Sequence, residues 1–101
     1  MSILINIEVP FAQSVDVSDD TLTVELSDGR TIMIPLTWYP RLLHGTNLER
    51  KNFRLIGKGY GIHWEDLDED ISVSGLLAGR SSQENPNSLK KWISKRNKKA
   101  A

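Results

Sequence analysis

The sequence predicts a small α+β domain, a short antiparallel β-sheet with two short helices inserted and an amphipathic helix at the C-terminus. Three observations carry this. Thr21 to Leu36 alternates apolar and polar residues around Asp28-Gly29, the pattern of a β-hairpin. Thr46-Asn47-Leu48-Glu49 has the spacing of a capping box, which starts a helix. Leu89, Trp92, Ile93 and Arg96 recur at i, i+3, i+4 and i+7, one stripe of a terminal helix. At 101 residues the chain holds one core and no second independent domain.

The N-terminus has a short apolar run before Asn6, without the charged start or small-residue cleavage site of a signal peptide. Ser14 to Ser18, with Val15 and Val17 on one face, reads as a strand that turns through Asp19-Asp20. The hairpin follows, with arms 21–27 and 30–36. Leu22, Val24 and Leu26 share a face on the first, and Ile32, Ile34 and Leu36 on the second. Pro35 cannot donate a ladder hydrogen bond, so the return arm is an edge or ends there. Thr37 to His44 reads as a short helix with Trp38, Leu42 and Leu43 inward and Gly45 as its stop. The capping box then starts a second helix that runs to about Asn52.

A second hairpin is expected over 53–57 and 60–64, turning at Lys58-Gly59, with a further strand at 71–73 and a helical turn at 75–79. Arg80 to Asn87 has the polar, proline-bearing composition of a linker, and Ser88 is placed as the cap of the last helix. The expected organisation is an α+β domain over 1–80, then a linker and basic helix over 81–101 that packs on the domain or on a partner.

The formal net charge is zero, but its distribution is lopsided. Residues 1–80 carry 7 Lys and Arg against 12 Asp and Glu, and residues 81–101 carry 6 against 1. An acidic body with a basic tail points to electrostatic pairing, with an outside partner or of the tail with its own body. The absence of cysteine excludes disulfides, thiolate metal sites and a cysteine nucleophile, and fits a cytoplasmic location.

The densest chemistry lies from Gly57 to Gly79. If 57–64 is extended throughout, Lys58, Tyr60, Ile62 and Trp64 share one face and Gly57, Gly59, Gly61 and His63 the other. The bare glycine face admits a close backbone, ring or ligand, or else the glycines permit a bulge or tight turn. The run is not the G-x-G-x-x-G fingerprint, so no dinucleotide or other cofactor is assigned. Glu65, Asp66, Asp68, Glu69 and Asp70 make five acids in six positions, interrupted by Leu67. An EF-hand spacing is missing, so no metal is assigned either. The acids read as a solvated turn paired with Arg41, Arg50 or Arg54, or as a docking surface for a basic partner.

His44 falls at a helix end, where its cation suits the dipole. His63 lies between the glycines and the acids, where a hydrogen bond to a neighbouring carboxylate is expected. Ser72 and Ser74 lack a G-x-S-x-G elbow, so no catalytic residue is named. Trp38-Tyr39-Pro40-Arg41 has the aromatic and basic content of a recognition surface, or closes the core. Lys90, Lys91, Lys95, Arg96, Lys98 and Lys99 form a basic terminal helix that suits phosphates but lacks a DNA-binding motif.

The run DGRTIMIPLTWYPRLLHGT, followed by RLIGKGYGIHWEDLDEDISVSGLLAG, resembles the bacterial family catalogued as domain of unknown function 2442. The tail SLKKWISKR resembles the end of many members. Lys58-Gly59 departs from the Asp-Gly that members often carry at this turn. The resemblance implies a small α+β domain with no established reaction, sometimes fused to a helix-turn-helix or encoded beside another small protein, as toxin-antitoxin pairs are.

Together these observations favour a non-enzymatic interaction module, in its specific form the antitoxin-like partner of a small basic protein. Its partner surface would comprise Tyr60, His63, Trp64, Glu65, Asp66, Asp68, Glu69 and Asp70, with carboxylates steering encounter and aromatics supplying contact area. A nucleic-acid regulator acting through the basic tail is the alternative. The third reading is an enzyme that uses His63 with Asp66 or Asp68.

Overall fold

A computed structural model describes residues 9–100, so most of the N-terminal segment lies outside the described residues. Two three-stranded antiparallel sheets form the body, ordered β1-β2-β3 and β4-β5-β6. The first joins β1 (Ala12–Val17), β2 (Thr21–Leu26) and β3 (Thr31–Pro35), and the second joins β4 (Phe53–Ile56), β5 (Gly61–Trp64) and β6 (Glu69–Ser72). The predicted hairpin is present, with Val24 opposite Ile32 and Leu22 opposite Ile34, so their inward alternation is in register. Pro35 ends the edge strand β3, where its missing N–H costs nothing.

Between the sheets the chain is helical, but not as one helix from Thr37. A 3₁₀ turn at Leu36–Trp38 is separated from α1 (Pro40–Leu43) by Tyr39, at φ −131° and ψ 85°. Pro40 is the cause, because a residue before proline is pushed out of the helical region. The change of direction also buries Tyr39 (5% exposed) and leaves Trp38 half-buried, while Leu43 is exposed and not inward. The capping box is complete and starts α2 (Asn47–Lys51).

The second hairpin differs from its expectation at the glycines. Residues Gly57–Gly59 form a 3₁₀ turn with Lys58 in the left-handed region, so strand alternation begins only at Gly61. Lys58 and Tyr60 are therefore not on a common face with Ile62 and Trp64. Strand β6 starts at Glu69 and not at Ile71, which shortens the acidic turn to residues 65–68. Helix α3 (Val73–Leu77) follows, with Ser72 as its cap.

The last helix, α4 (Pro86–Ala100), begins earlier than predicted. Asn85 caps it by accepting from the Ser88 N–H at 2.7 Å, and Pro86 occupies the first helical position, where no donor is needed. The preceding segment is tied down and does not behave as a free linker. Tyr39 Oη donates to the Arg80 carbonyl, and the Ser82 N–H donates to the Trp38 carbonyl, both at 2.9 Å.

One core joins both sheets, α1, α3 and the acidic turn through Leu22, Val24, Leu26, Leu36, Leu42, Ile62, Trp64, Leu67 and Val73. No helix among the described residues is long and apolar enough to cross a membrane.

Candidate interaction surface

Alternation along β5 sends Ile62 and Trp64 into the core, both 0% exposed, and turns His63 outward. This corrects the expectation that Trp64 forms part of a partner surface. Its ring is sealed in the interior, and Nε1 donates to the Arg50 carbonyl at 3.0 Å. Tyr60 is exposed but lies at the other end of β5 from the acids, edge-on to Phe11 with ring centroids 6.0 Å apart. Neither aromatic is displayed on the surface beside the acidic turn.

His63 stands opposite Asp70 on β6 and Arg54 on β4. Its Nδ1 lies 2.5 Å from Asp70 Oδ1, and its Nε2 lies 2.7 Å from Glu65 Oε2. The hydrogen bonds to Asp70 and then to Glu65 raise its pKa above the usual histidine value, because both favour the form with two N–H donors. The expected carboxylate partnership is therefore present, and it is double. The two acids approach opposite edges of the ring, so they do not converge on one point as metal ligands would. The pairing with Asp66 or Asp68 posited for an enzyme does not form. Asp66 accepts from Asn52 Nδ2 at 2.8 Å, and Asp68 faces Arg41 at 3.6 Å.

The turn from Glu65 to Asp68 is rigidly seated. Leu67 is fully buried at its centre, and Asp68 closes it at φ 49°, a conformation aspartate tolerates better than most residues. Arg41 Nη1 donates to the carbonyls of Leu67 at 3.3 Å and Asp68 at 3.2 Å. The carboxylates themselves point out, the Asp68 side chain being 87% exposed and those of Glu65 and Asp70 each 69%.

Glu69 behaves differently from its neighbours. It stands opposite Trp64 and so faces inward, beside a cleft of about 220 Å³ lined by Tyr39, Ser72, Arg80 and Gln83. Burial, only partly offset by the Asp70 N–H and the Arg41 charge, pushes its carboxyl up to about 7.

Helix α4 brings another aromatic side chain to a cleft it shares with Asp66. Trp92 packs against the core and has two guanidiniums over its ring, Arg96 at 4.7 Å and Arg41 at 5.1 Å. Arg96 donates twice to Glu49, at 2.6 and 2.8 Å, and these bonds are the first cause holding the Glu49 carboxyl down at about 2. Glu49 Oε1 also accepts from the Thr46 N–H at 2.9 Å, so one carboxylate closes the α2 capping box and ties down α4.

Of the six basic residues considered for nucleic acid, Arg96 is thus committed within the chain. Lys90, Lys91, Lys95 and Lys98 are exposed, and Lys99 lies in the last turn, its side chain outside the described part. Sequence reasoning missed Glu84, which receives two 2.7 Å hydrogen bonds from Arg41 and one from Ser88. Arg41 lies 43 positions away from Glu84, and only the position of Glu84 just before a helix hints at such a role.

The family model for protein of unknown function (DUF2442) matches residues 12–82, so it ends before α4. A crystal structure of a protein of unknown function from Rhodospirillum rubrum is 32% identical and covers 74% of this chain and 93% of that one, with a TM-score of 0.64. A solution NMR structure of an uncharacterised protein from Chromobacterium violaceum shares the fold at 22% identity, covering 85% of this chain and 75% of that one, with a TM-score of 0.62. No curated protein matches the chain. The motifs from Asp28 to Gly79, the two-sheet fold and the matched span agree, and the chain belongs to the family of proteins of unknown function DUF2442.

Proposed function

We propose that this chain is a protein-interaction module that presents the acidic β5–β6 turn to a basic partner. The observation that carries this reading is the way the turn is held. Leu67 is buried beneath it and Arg41 grips its carbonyls, while Glu65, Asp66 and Asp68 remain exposed. Carboxylates displayed on a fixed turn lose little freedom when a partner docks, and their charge accelerates encounter. The specific form of the proposal is antitoxin-like, the partner being a small basic protein encoded alongside, as the family resemblance implies.

Trp64 and Glu69 face inward and have no part in this surface, and Asp70 is engaged with His63. The test is co-expression with the product of the adjacent gene, comparing the wild type with a Glu65→Gln, Asp66→Asn, Asp68→Asn variant. Co-purification that is lost in the variant and weakens with salt in the wild type is expected. A complex that survives all three substitutions would sink the proposal.

A further inference from the structure

Helix α4 contributes little to the buried core. The buried apolar residues run from Ala12 to Leu76, and α4 adds only Trp92 as a half-buried side chain against them. The family match likewise stops at residue 82. Yet α4 lies on the acidic part of the body, with its Arg96 on Glu49 and its Trp92 against Arg41.

We infer that the face formed by Arg41, His44, Glu49 and Asp66 is a docking site for a basic amphipathic helix carrying a tryptophan one turn before an arginine, and that α4 fills it in cis. This rests on the interaction reading above and names the kind of partner segment.

Three observations support it. The charges are complementary: α4 carries Lys90, Lys91, Lys95, Arg96, Lys98 and Lys99 with no acid, against a body with five more acids than bases over residues 1–80, and Arg96 pairs with Glu49. The recognition elements are paired, because the Trp92 and Arg96 side chains share one helix face at i and i+4 and reach Arg41 and Glu49 together. The fit is incomplete, since a cleft of about 620 Å³ remains between α4 and His44, Glu49 and Asp66. A helix held at two points over an unfilled cleft is displaceable by a segment of the same chemistry that fills it better. A tethered helix competes at a high effective concentration, so an outside segment sees the site weakened until α4 is released.

The test uses the full chain and a fluorescein-labelled synthetic peptide with the sequence of residues 86–101. Fluorescence anisotropy should show the peptide binding a Trp92→Ala, Arg96→Ala variant at least about tenfold more tightly than the wild type, because the variant helix no longer competes. Adding Glu49→Gln to that variant should lower peptide affinity about fivefold or more, the loss expected for one side of a charge-assisted pair. Equal affinity for the wild type and the released variant, or no binding to either, would overturn the inference. So would loss of cooperative unfolding in the released variant, since α4 would then belong to the fold. A Glu65→Gln, Asp68→Asn variant, which spares Asp66, separates the two readings: partner binding lost there with peptide binding retained by the released chain agrees with both, whereas an intact complex condemns only the turn.

Discussion

Asp70 and His63 face each other across β5 and β6 at a directly opposed position, Asp70 Oδ1 lying 2.5 Å from His63 Nδ1. With Glu65 on the second ring nitrogen, the imidazole bridges a strand and the turn that follows its neighbour.

That bridge makes stability depend on pH in a definite direction. His63 has a raised pKa in the folded chain, through Asp70 first and Glu65 second. Its contribution is fully present below the unfolded value of about 6.5 and is lost as pH rises through the folded value above it. Thermal melts of the wild type and His63→Gln should therefore differ most near about pH 5.5 and converge as the solution becomes alkaline. A gap that widens with pH would contradict the charged bridge.

Glu69 should act with a larger amplitude. Its carboxyl titrates at about 7 in the folded chain against 4.5 ordinarily, burial being the main cause. The folded state keeps a proton that the unfolded chain has released, so stability falls as pH rises from about 4.5 to about 7 and is level beyond. Glu69→Gln removes this loss. After allowance for the partial exposure of the side chain, the variant should be more stable than wild type by about 1–2 kcal/mol at pH 8 and equal to it near pH 4, measured by urea unfolding. Arg41, Glu84 and Asp70 surround the group, and equal stabilities at pH 8 would mean that their charges hold Glu69 ionised at no cost.

The parts of the fold that were legible in the sequence are those written locally. The Asp28-Gly29 hairpin and the Thr46–Glu49 capping box each need only a few adjacent residues, and both formed as read. Adjacency to Glu65 in sequence does not place Trp64 on the surface, because the same period of two that turns His63 outward sends Trp64 inward. The start of α4 was signalled by Asn85-Pro86, a cap followed by a first-turn proline, but the polar composition around it reads equally as a linker. Long-range partners leave no periodic trace. Arg41 and Glu84 are 43 positions apart, and their pairing follows from the packing of both sheets and not from either segment. The acidity of the candidate surface was thus visible, whereas its fixing by Arg41 and its contact with α4 were not.

Arg41 should be the most sensitive of the exposed-region arginines. Its guanidinium makes two 2.7 Å bonds to Glu84, holds the Leu67 and Asp68 carbonyls and lies over Trp92. Lysine cannot reproduce this planar fork, so Arg41→Lys should cost about 2 kcal/mol and Arg41→Ala about 3 kcal/mol. Arg54, whose side chain is 68% exposed and 3.7 Å from Glu65, provides the contrast. Its replacement by alanine should change stability by no more than about 0.5 kcal/mol. Chemical denaturation followed by tryptophan fluorescence measures all three, and equal losses at positions 41 and 54 would refute the role given to Arg41.

The glycines of the Gly57–Gly59 turn allow a sharper comparison, because two have positive φ and only one is crowded. At Gly57, φ is 57° and an added Cβ would meet nothing within 4 Å. Gly57→Ala should therefore cost only the backbone preference, about 1–2 kcal/mol. At Gly59, φ is 92° and the Cβ would come within 2.8 Å of the Ala12 carbonyl oxygen and 3.2 Å of Phe11. Those atoms precede and begin β1, so a side chain here would push the edge of one sheet away from the turn of the other. Backbone cannot yield as the end of a flexible side chain can, and Gly59→Ala should cost about 3 kcal/mol or more. Lys58 sits between them at φ 60°, in a conformation unfavourable to its own Cβ. Lys58→Gly should consequently raise stability slightly, by up to about 1 kcal/mol, the relief of left-handed strain being partly cancelled by the greater freedom of glycine in the unfolded chain. Urea midpoints for the three variants should fall in the order Lys58→Gly, Gly57→Ala, Gly59→Ala. A Gly59→Ala protein as stable as Gly57→Ala would show that the close approach of the β1 backbone is not what this glycine provides.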